Sequence, residues 1–548
     1  MALASFILKP VLGLKTNVPM QDATLLQPLG ENVAASHCVE GSDFIRVTAE
    51  KGSTTKAAGK TLWSNTATAS AQTCLGMFEL NDGSARTHWM FMGDNASNGR
   101  IFRYDGSRDP VRISDVDGHS GAVEFAFANL SKYCVINYGG MMIFCDNASH
   151  TPYCADYNDV VVKKLISTGT EYKPKFIEIF QNRIIAAHMD SSALTNGDIS
   201  IIWSGLLPTP GTTCTFGTGD PPSNHLFRPN DDVITGIKRF NQNVCLLYGE
   251  NSIDSIDYYP NYQVPFAIRN LVPNQGATNN QSIVSTGSAH YFFNSNYGFC
   301  AFVGGGQFPA GGRPISEPIE DVVSSIARTY YGHIVGAFLP HINSIAWTVP
   351  LYGSATPTHL LLYHIPTGSW TVDERVVWWI DNWVTDTAIT WEKLLLQGYE
   401  TWDDIADLRW SDIVSENPYI MISSTDGHTY SLSGTSNADA DYTGVRIEPV
   451  LDFFRPNDKD LLLEIWFGIT ATGDYSVNVW YRGGNTGREA ATAAWESLGS
   501  FSCDNPANAV IYCHKLNRYH QIKYGTTAAG EPFGINEIEF KFAPQGRY

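Results

Sequence analysis

Charge is scarce in this chain, and positive charge scarcer still. Only 17% of the 548 residues are Asp, Glu, Lys or Arg, against roughly 25% in an average soluble domain. The 36 Lys and Arg face 55 Asp and Glu, for a formal net charge of −19. That balance argues against a protein that grips nucleic acid by neutralising phosphates with a basic face. A disordered chain is excluded too, because 43% of the residues are hydrophobic and 12% aromatic. No run of about 18 apolar residues occurs, so no membrane-spanning helix is expected. The opening Met1 to Pro10 has no basic stretch ahead of its short apolar run, and Lys9-Pro10 ends that run too early for a secretory signal. Ten Cys are present without a single CxxC, which removes zinc knuckles and thioredoxin-type redox motifs. Cys134 and Cys245 sit inside apolar strands and read as buried, reduced thiols. The chain is therefore expected to be made and assembled in a reducing cytoplasm.

Catalytic words are missing as well. The 14 His form no HExxH, and neither a GxSxG elbow nor a Walker loop is found. Ser424-Thr425-Asp426-Gly427-His428-Thr429-Tyr430 is a degenerate version of the Asp box of sialidase-like blades, and Asp426-Gly427 reads as a hairpin turn. Asp115-Val116-Asp117-Gly118 opens like a calcium loop, but Gly118 comes two positions early and Ala126 stands where a bidentate Glu belongs. Gly304-Gly305-Gly306 and Gly311-Gly312 read as a connecting loop. No catalytic residue, cofactor or metal ligand is expected, and the chain is not read as an enzyme.

What the sequence does have is turns. With 48 Gly and many Asn, Ser and Thr between apolar runs, it repeats one unit: strand, polar turn, strand, looser connection. His88–Met92 returns as Arg100–Tyr104, Cys134–Tyr138 as Met141–Phe144, Phe176–Phe180 as Arg183–Ala187, and Val233–Ile237 as Val244–Tyr248. Ser282–Val284, Ala289–Phe293 and Gly298–Val303 make a fifth copy, and Ile334–Phe338, Ser344–Val349, Leu360–Tyr363 and Gly368–Thr371 a sixth. Units of roughly 40 to 60 residues suit a propeller, where short sheets packed around an axis bury both of their apolar faces. The fold class expected is all-β: a β-propeller of about six blades, five or seven remaining open, with a C-terminal β-sandwich-like domain and few short helices. A large β-sandwich or a barrel assembly is the alternative.

Three departures from the repeat set the domain limits at 1–75 for an N-terminal arm and strands, 76–443 for the propeller, and 444–548 for the sandwich-like domain. Ser316 to Ala327 carries Ile319, Val322, Val323 and Ile326 on one helical stripe, with Ser316 as cap and Pro318 in the first turn. The segment 376–413 crowds together Trp378, Trp379, Trp383, Trp391, Trp402 and Trp410 and reads as an insertion. So many Trp must be covered, either by the propeller itself or by a neighbouring subunit, which makes these six the candidate subunit interface. After a polar linker, alternating strands resume from Val445 to Phe540.

The arm reads Gly13-Leu14-Lys15-Thr16-Asn17-Val18-Pro19, then Leu25-Leu26-Gln27-Pro28-Leu29-Gly30-Glu31-Asn32 and His37-Cys38-Val39. With Ile315-Ser316-Glu317-Pro318-Ile319, the Thr-Trp-acid words around Trp391 and Trp402, and the strand at Gly534 to Phe540, it resembles the tail nozzle (tail hub) proteins of short-tailed bacteriophages. The resemblance implies a structural virion protein in the tail, assembled as a sixfold ring below the portal and adaptor. It further implies tail fibre or needle proteins as partners and a channel that passes double-stranded DNA without binding it. A glycan-binding or glycan-cleaving propeller used in host recognition is the alternative.

Overall fold

A computed structural model describes residues 3–39, 172–190, 194–207, 225–260, 264–304, 314–384, 418–433, 443–455, 457–527 and 530–546 without a break, and shorter stretches, mostly strands, between 45 and 165. The chain is a β-propeller joined to a β-sandwich. Among the described residues the propeller strands fall into seven groups, numbered as sheets in chain order, of which the first two are joined into one nine-stranded sheet by a parallel pair between Pro110–Asp115 and Val161–Lys164. The first holds Thr73–Asn81, Arg86–Gly93, Asn98–Tyr104 and Pro110–Asp115, and the second Cys134–Tyr138, Met141–Cys145, Tyr153–Asp156 and Val161–Lys164. The third runs from Pro174–Phe180 out to His225–Phe227, the fourth from Ile234–Arg239 to Phe266–Pro273, and the fifth from Val284–Ser285 to Gly298–Phe302. The sixth spans Val335–Leu339 to Ser369–Asp373. Successive inner strands pack side by side around the ring, and Trp379–Val384 of the seventh sheet meets Thr73–Asn81 of the first.

The turns do what their residue types dictate. Gln181 and Asn182 both adopt positive φ, at 54° and 55°, so the two-residue turn between Phe180 and Arg183 matches the twist of its strands. Asn241 and Asn294 each accept two backbone N–H groups through their side-chain oxygen and close their loops as Asx turns. Gly427 takes φ 81° at the Asp426-Gly427 turn between two paired strands, which is the hairpin expected there.

Of the segment 376–413 read as an insertion, Trp379–Val384 belongs to the seventh sheet, and 385–413 lie outside the described residues. Trp379–Val384 is that sheet's inner strand, followed by Pro418–Ser423 and Thr429–Leu432. Its outer strand, Lys60–Leu62, comes from the N-terminal part of the chain and pairs with Thr429–Leu432. The ring is thus fastened by strands from both ends of the propeller sequence. The expected helix at Ser316 to Ala327 is shorter than the stripe suggests: a 3-10 turn at Glu317–Ile319 runs into an α-helix at Glu320–Ser324. Ile319, Val322 and Ile326 are buried as anticipated. Ser316 does not cap; its hydroxyl accepts the Phe299 N–H at 3.0 Å.

The sandwich is completed by the arm. One of its sheets runs Leu26–Gly30, Val33–Ser36, Ala4–Lys9, Gly534–Gly546, Lys459–Ile469 and Val510–Asn517; the other holds Gly444–Ile447, Tyr519–Thr526, Ser476–Gly484 and Glu496–Ser502. Phe6 and Leu8 lie in one core with Ile465, Val477, Val479, Ile522, Tyr524 and Phe540. The nine described Cys are all buried, and no disulfide joins any of them.

Candidate functional site: junction, ring seam and axial cavity

Residues distant in sequence meet where propeller and sandwich join. The Leu14 N–H donates to the Trp370 carbonyl at 2.7 Å, and the Thr16 and Asn17 N–H groups both donate to the Pro318 carbonyl, at 2.9 and 3.3 Å. Thr16 also hydrogen-bonds Asp321 through its side chain. On the other side the Lys15 N–H donates to the Cys38 carbonyl at 2.9 Å, the Cys38 N–H donates to the Gly13 carbonyl at 3.2 Å, and the Val39 N–H donates to the Ile447 carbonyl of the sandwich at 3.2 Å. Gly13 is required at this tie because a Cβ there would stand 2.5 Å from the Ser369 Cβ and 2.7 Å from the Trp370 nitrogen. The tie is locked from beneath by Arg446 and Glu448, an ion pair that sequence reading passed over. Two charged residues at alternate positions of the apolar stretch 445–450 were the available signal, since alternation turns both toward the same side.

The six candidate tryptophans divide. Trp378, Trp379 and Trp383 are each 6% exposed and share a cluster with Trp63, Met90, Phe102 and Tyr104 at the seam of the seventh and first sheets. They are covered by the chain's own propeller, so a neighbouring subunit is not what buries these three. Trp391, Trp402 and Trp410 lie outside the described residues. Within the seam His88 is encased: its ring lies edge-on to Trp63 at 5.7 Å and to Trp383 at 4.9 Å. Burial alone lowers its pKa to about 3, so it is neutral at physiological pH.

The axial cavity has a volume of about 340 Å³ and is walled by inner-strand residues, among them Phe78, Cys134, Lys238, Phe338 and Asp381, and by Asn280 of the 3-10 turn Asn280–Ser282. Asn280 acts as a spoke: its Oδ1 accepts the Ile237 N–H at 3.1 Å and its Nδ2 reaches the Cys134 sulfur at 3.6 Å. Desolvation raises Asp381 to about 7, with the Glu79 charge adding to the effect and Lys238 and the Asn382 N–H opposing it. Glu178 is raised by burial as well, against the nearby Lys238 and two backbone N–H donors. Inward-pointing charges on inner strands are hard to read from sequence, because both faces of a propeller sheet are buried and the alternation signal is lost. No group of three or more His, Cys, Asp or Glu among the described residues is arranged to hold a metal ion. In the Asp box-like hairpin, Asp426 accepts the His428 N–H at 3.0 Å and the Tyr430 hydroxyl at 2.5 Å, both bonds serving the turn itself. Asp115 ends the outer strand of the first sheet, and 116–118 of the calcium-like loop lie outside the described residues, as do 305–313 of the Gly-rich connection.

No family profile and no curated protein matches the chain. Among solved structures it is similar to the extracellular domain of a hybrid two-component system of B. thetaiotaomicron, at 10% identity and TM-score 0.39, over 87% of this chain and 57% of that one. It is also similar to the extracellular domain of a one-component system of the same organism, at 10% identity and TM-score 0.34, over 80% of this chain and 47% of that one. The chain thus spans about half the length of the solved chains it matches.

Proposed function

We propose that this chain is a structural subunit of a short-tailed bacteriophage tail, one of six copies in the ring-shaped nozzle, or hub, through which the genome leaves the particle. One observation carries the reading. The words that resemble nozzle proteins lie near both ends and in the middle of the chain, yet in space they serve one tie. Gly13–Pro19 hydrogen-bonds to Pro318 of Ile315–Ile319, His37–Val39 links that arm to the sandwich, and Gly534–Phe540 pairs with the arm's first strand. A likeness concentrated in residues that hold two domains in fixed relation suits a part that bears and transmits force.

The axial cavity supports the same assignment by its size. At about 340 Å³ it is near the lower end of small-molecule sites, and Phe78, Phe338 and Trp379 narrow it. A duplex therefore travels on the axis of the ring, between subunits, and the net charge of −19 suits passage of phosphates better than retention. Portal or adaptor proteins above, and fibre or needle proteins beside or below, are the partners this reading assigns. Native mass measurement and negative-stain imaging of the purified chain test it, together with antibody labelling of particles. Rings of six and label at the tail tip are the expected result; a monomer at every concentration that is absent from particles overturns it.

A further inference from the structure

Beside the tie, the arm, the sixth sheet and the outer face of the smaller sandwich sheet enclose a cleft of about 900 Å³. Its size lies within the range of about 300 to 1,000 Å³ found for ligand sites, which favour domain junctions. The sandwich wall is a cross-strand row: Lys523 stands opposite both Ile447 and Trp480 in the sheet register. The Lys523 ammonium lies over the Trp480 ring at 4.8 Å and over the Trp495 ring at 5.3 Å, so the cation sits between two indoles. The propeller wall supplies Tyr352, His359, Glu374 and Asp321. Tyr352 is 75% exposed and holds φ 54°, a conformation costly for an aromatic residue, in a turn whose next residue, Gly353, also has positive φ. Its ring meets His359 edge-on at 5.8 Å. The His359 imidazole is lowered in pKa by burial, with Glu374 opposing, and its Nδ1 is engaged by the Thr358 hydroxyl.

We propose that this cleft binds a neutral oligosaccharide. The arm and the strand Gly444–Ile447 give the cleft an apolar floor of Val18, Met20, Val39, Val445 and Ile447, but the walls above it set the aromatic rings of Tyr352, Trp480 and Trp495 beside a carboxylate, an imidazole, an ammonium, Thr443 and Thr527, which an apolar peptide would leave unused. Sugars present the complementary pattern. Their axial C–H bonds, polarised by neighbouring oxygens, favour the negative face of an aromatic ring, and their hydroxyls need donors and acceptors together. Tyr352 is the platform that meets the sugar face, Glu374 accepts hydroxyl protons, and Lys523, held by its indoles, donates. Acids on the propeller side and one cation on the sandwich side disfavour a strongly charged ligand of either sign.

The site stands independently of the nozzle assignment, since it is contained in one copy of the chain. Saturation-transfer NMR and calorimetry on the intact protein, with maltotriose, cellotriose and an N-acetylglucosamine trimer as probes, test it. At least one probe should bind, and Tyr352→Ala and Glu374→Gln, both at exposed positions, should each weaken it about tenfold or more while circular dichroism stays unchanged. Absence of binding by all three probes, or binding indifferent to both substitutions, overturns the proposal. Loss of ring assembly in Tyr352→Ala without any sugar binding overturns it as well, by making the cleft a contact between copies.

Discussion

The Arg446 guanidinium donates Nε–H to Glu448 Oε1 at 2.6 Å, with both side chains almost completely removed from solvent. Neither charge is left with this partner alone. Arg446 also donates to the carbonyls of Leu12 and Ser36, at 3.2 and 2.9 Å, while Glu448 accepts from the Ser36 and Tyr524 hydroxyls at 2.6 and 2.9 Å. Every one of these partners is backbone or side chain of the arm or of the sandwich sheets.

Removing one member should therefore cost far more than removing both. Arg446→Met leaves a buried carboxylate without its counter-charge and is expected to destabilise the fold by about 3–5 kcal/mol, whereas Arg446→Met with Glu448→Leu should recover most of the loss. Urea unfolding of the three proteins decides the matter. A double variant no more stable than the single one would mean that the pair holds the arm by more than mutual neutralisation.

Ring closure gives a second prediction. Trp63 follows the fastening strand Lys60–Leu62 and packs edge-on against Tyr104 of the first sheet at 5.4 Å and Trp383 of the seventh at 5.9 Å. Trp63→Ala should cost about 3–5 kcal/mol and, because the strand it anchors is only three residues long, should expose the chain before residue 73 to proteolysis first. Mass analysis of early digestion products checks the site of cleavage. Uniform resistance equal to that of the parent would show that the strand holds without its Trp.

How far the sequence foretold this structure depends on the range of each interaction. The hairpins at Phe180–Arg183 and around Asn241 and Asn294 were legible because turn chemistry is local: the Asn that bends the chain sits beside the residues it bends. The seventh sheet was not. Its outer strand lies more than 350 residues from the neighbour it pairs with, Leu62 opposite Tyr430, and its inner strand hides in a Trp-rich stretch where no alternation survives. The pairing of Ala4–Lys9 with Gly534–Gly546 is non-local in the same way. At the candidate sites, the Trp cluster was visible from composition, but which neighbour covers it is a tertiary fact. Tyr352 gave no signal, because a left-handed Tyr looks like any other Tyr before a Gly.

Acid sensitivity follows from His88. Its pKa falls from 6.5 in the unfolded chain to about 3 in the seam through burial, so the unfolded state binds a proton that the folded state refuses. Stability contributed by the neutral ring is present above pH 6.5 and is lost progressively as pH falls toward about 3. His88→Phe keeps a ring in the seam and removes the titration. At about pH 4.5 it should gain about 2–3 kcal/mol relative to the parent, compared with their difference at neutral pH. Paired denaturant melts across this range measure the difference directly, and parallel curves would mean that His88 finds a proton-accepting partner in solution.

The tie itself can be loosened at one atom. A side chain at Gly13 meets Ser369 and the Trp370 backbone, neither of which can swing away as a flexible side-chain tip would. Gly13→Val must push the arm off the sixth sheet and strain the bonds from Leu14 to Trp370 and from Thr16 to Pro318, at an expected cost of about 1–3 kcal/mol. Gly30→Ala is the control, since nothing lies within 4 Å of a Cβ there. If the arm couples propeller to sandwich, calorimetry of Gly13→Val should separate one unfolding endotherm into two while Gly30→Ala keeps the parent profile. A single endotherm in both variants would place the coupling elsewhere, and with it the mechanical role assigned to the arm.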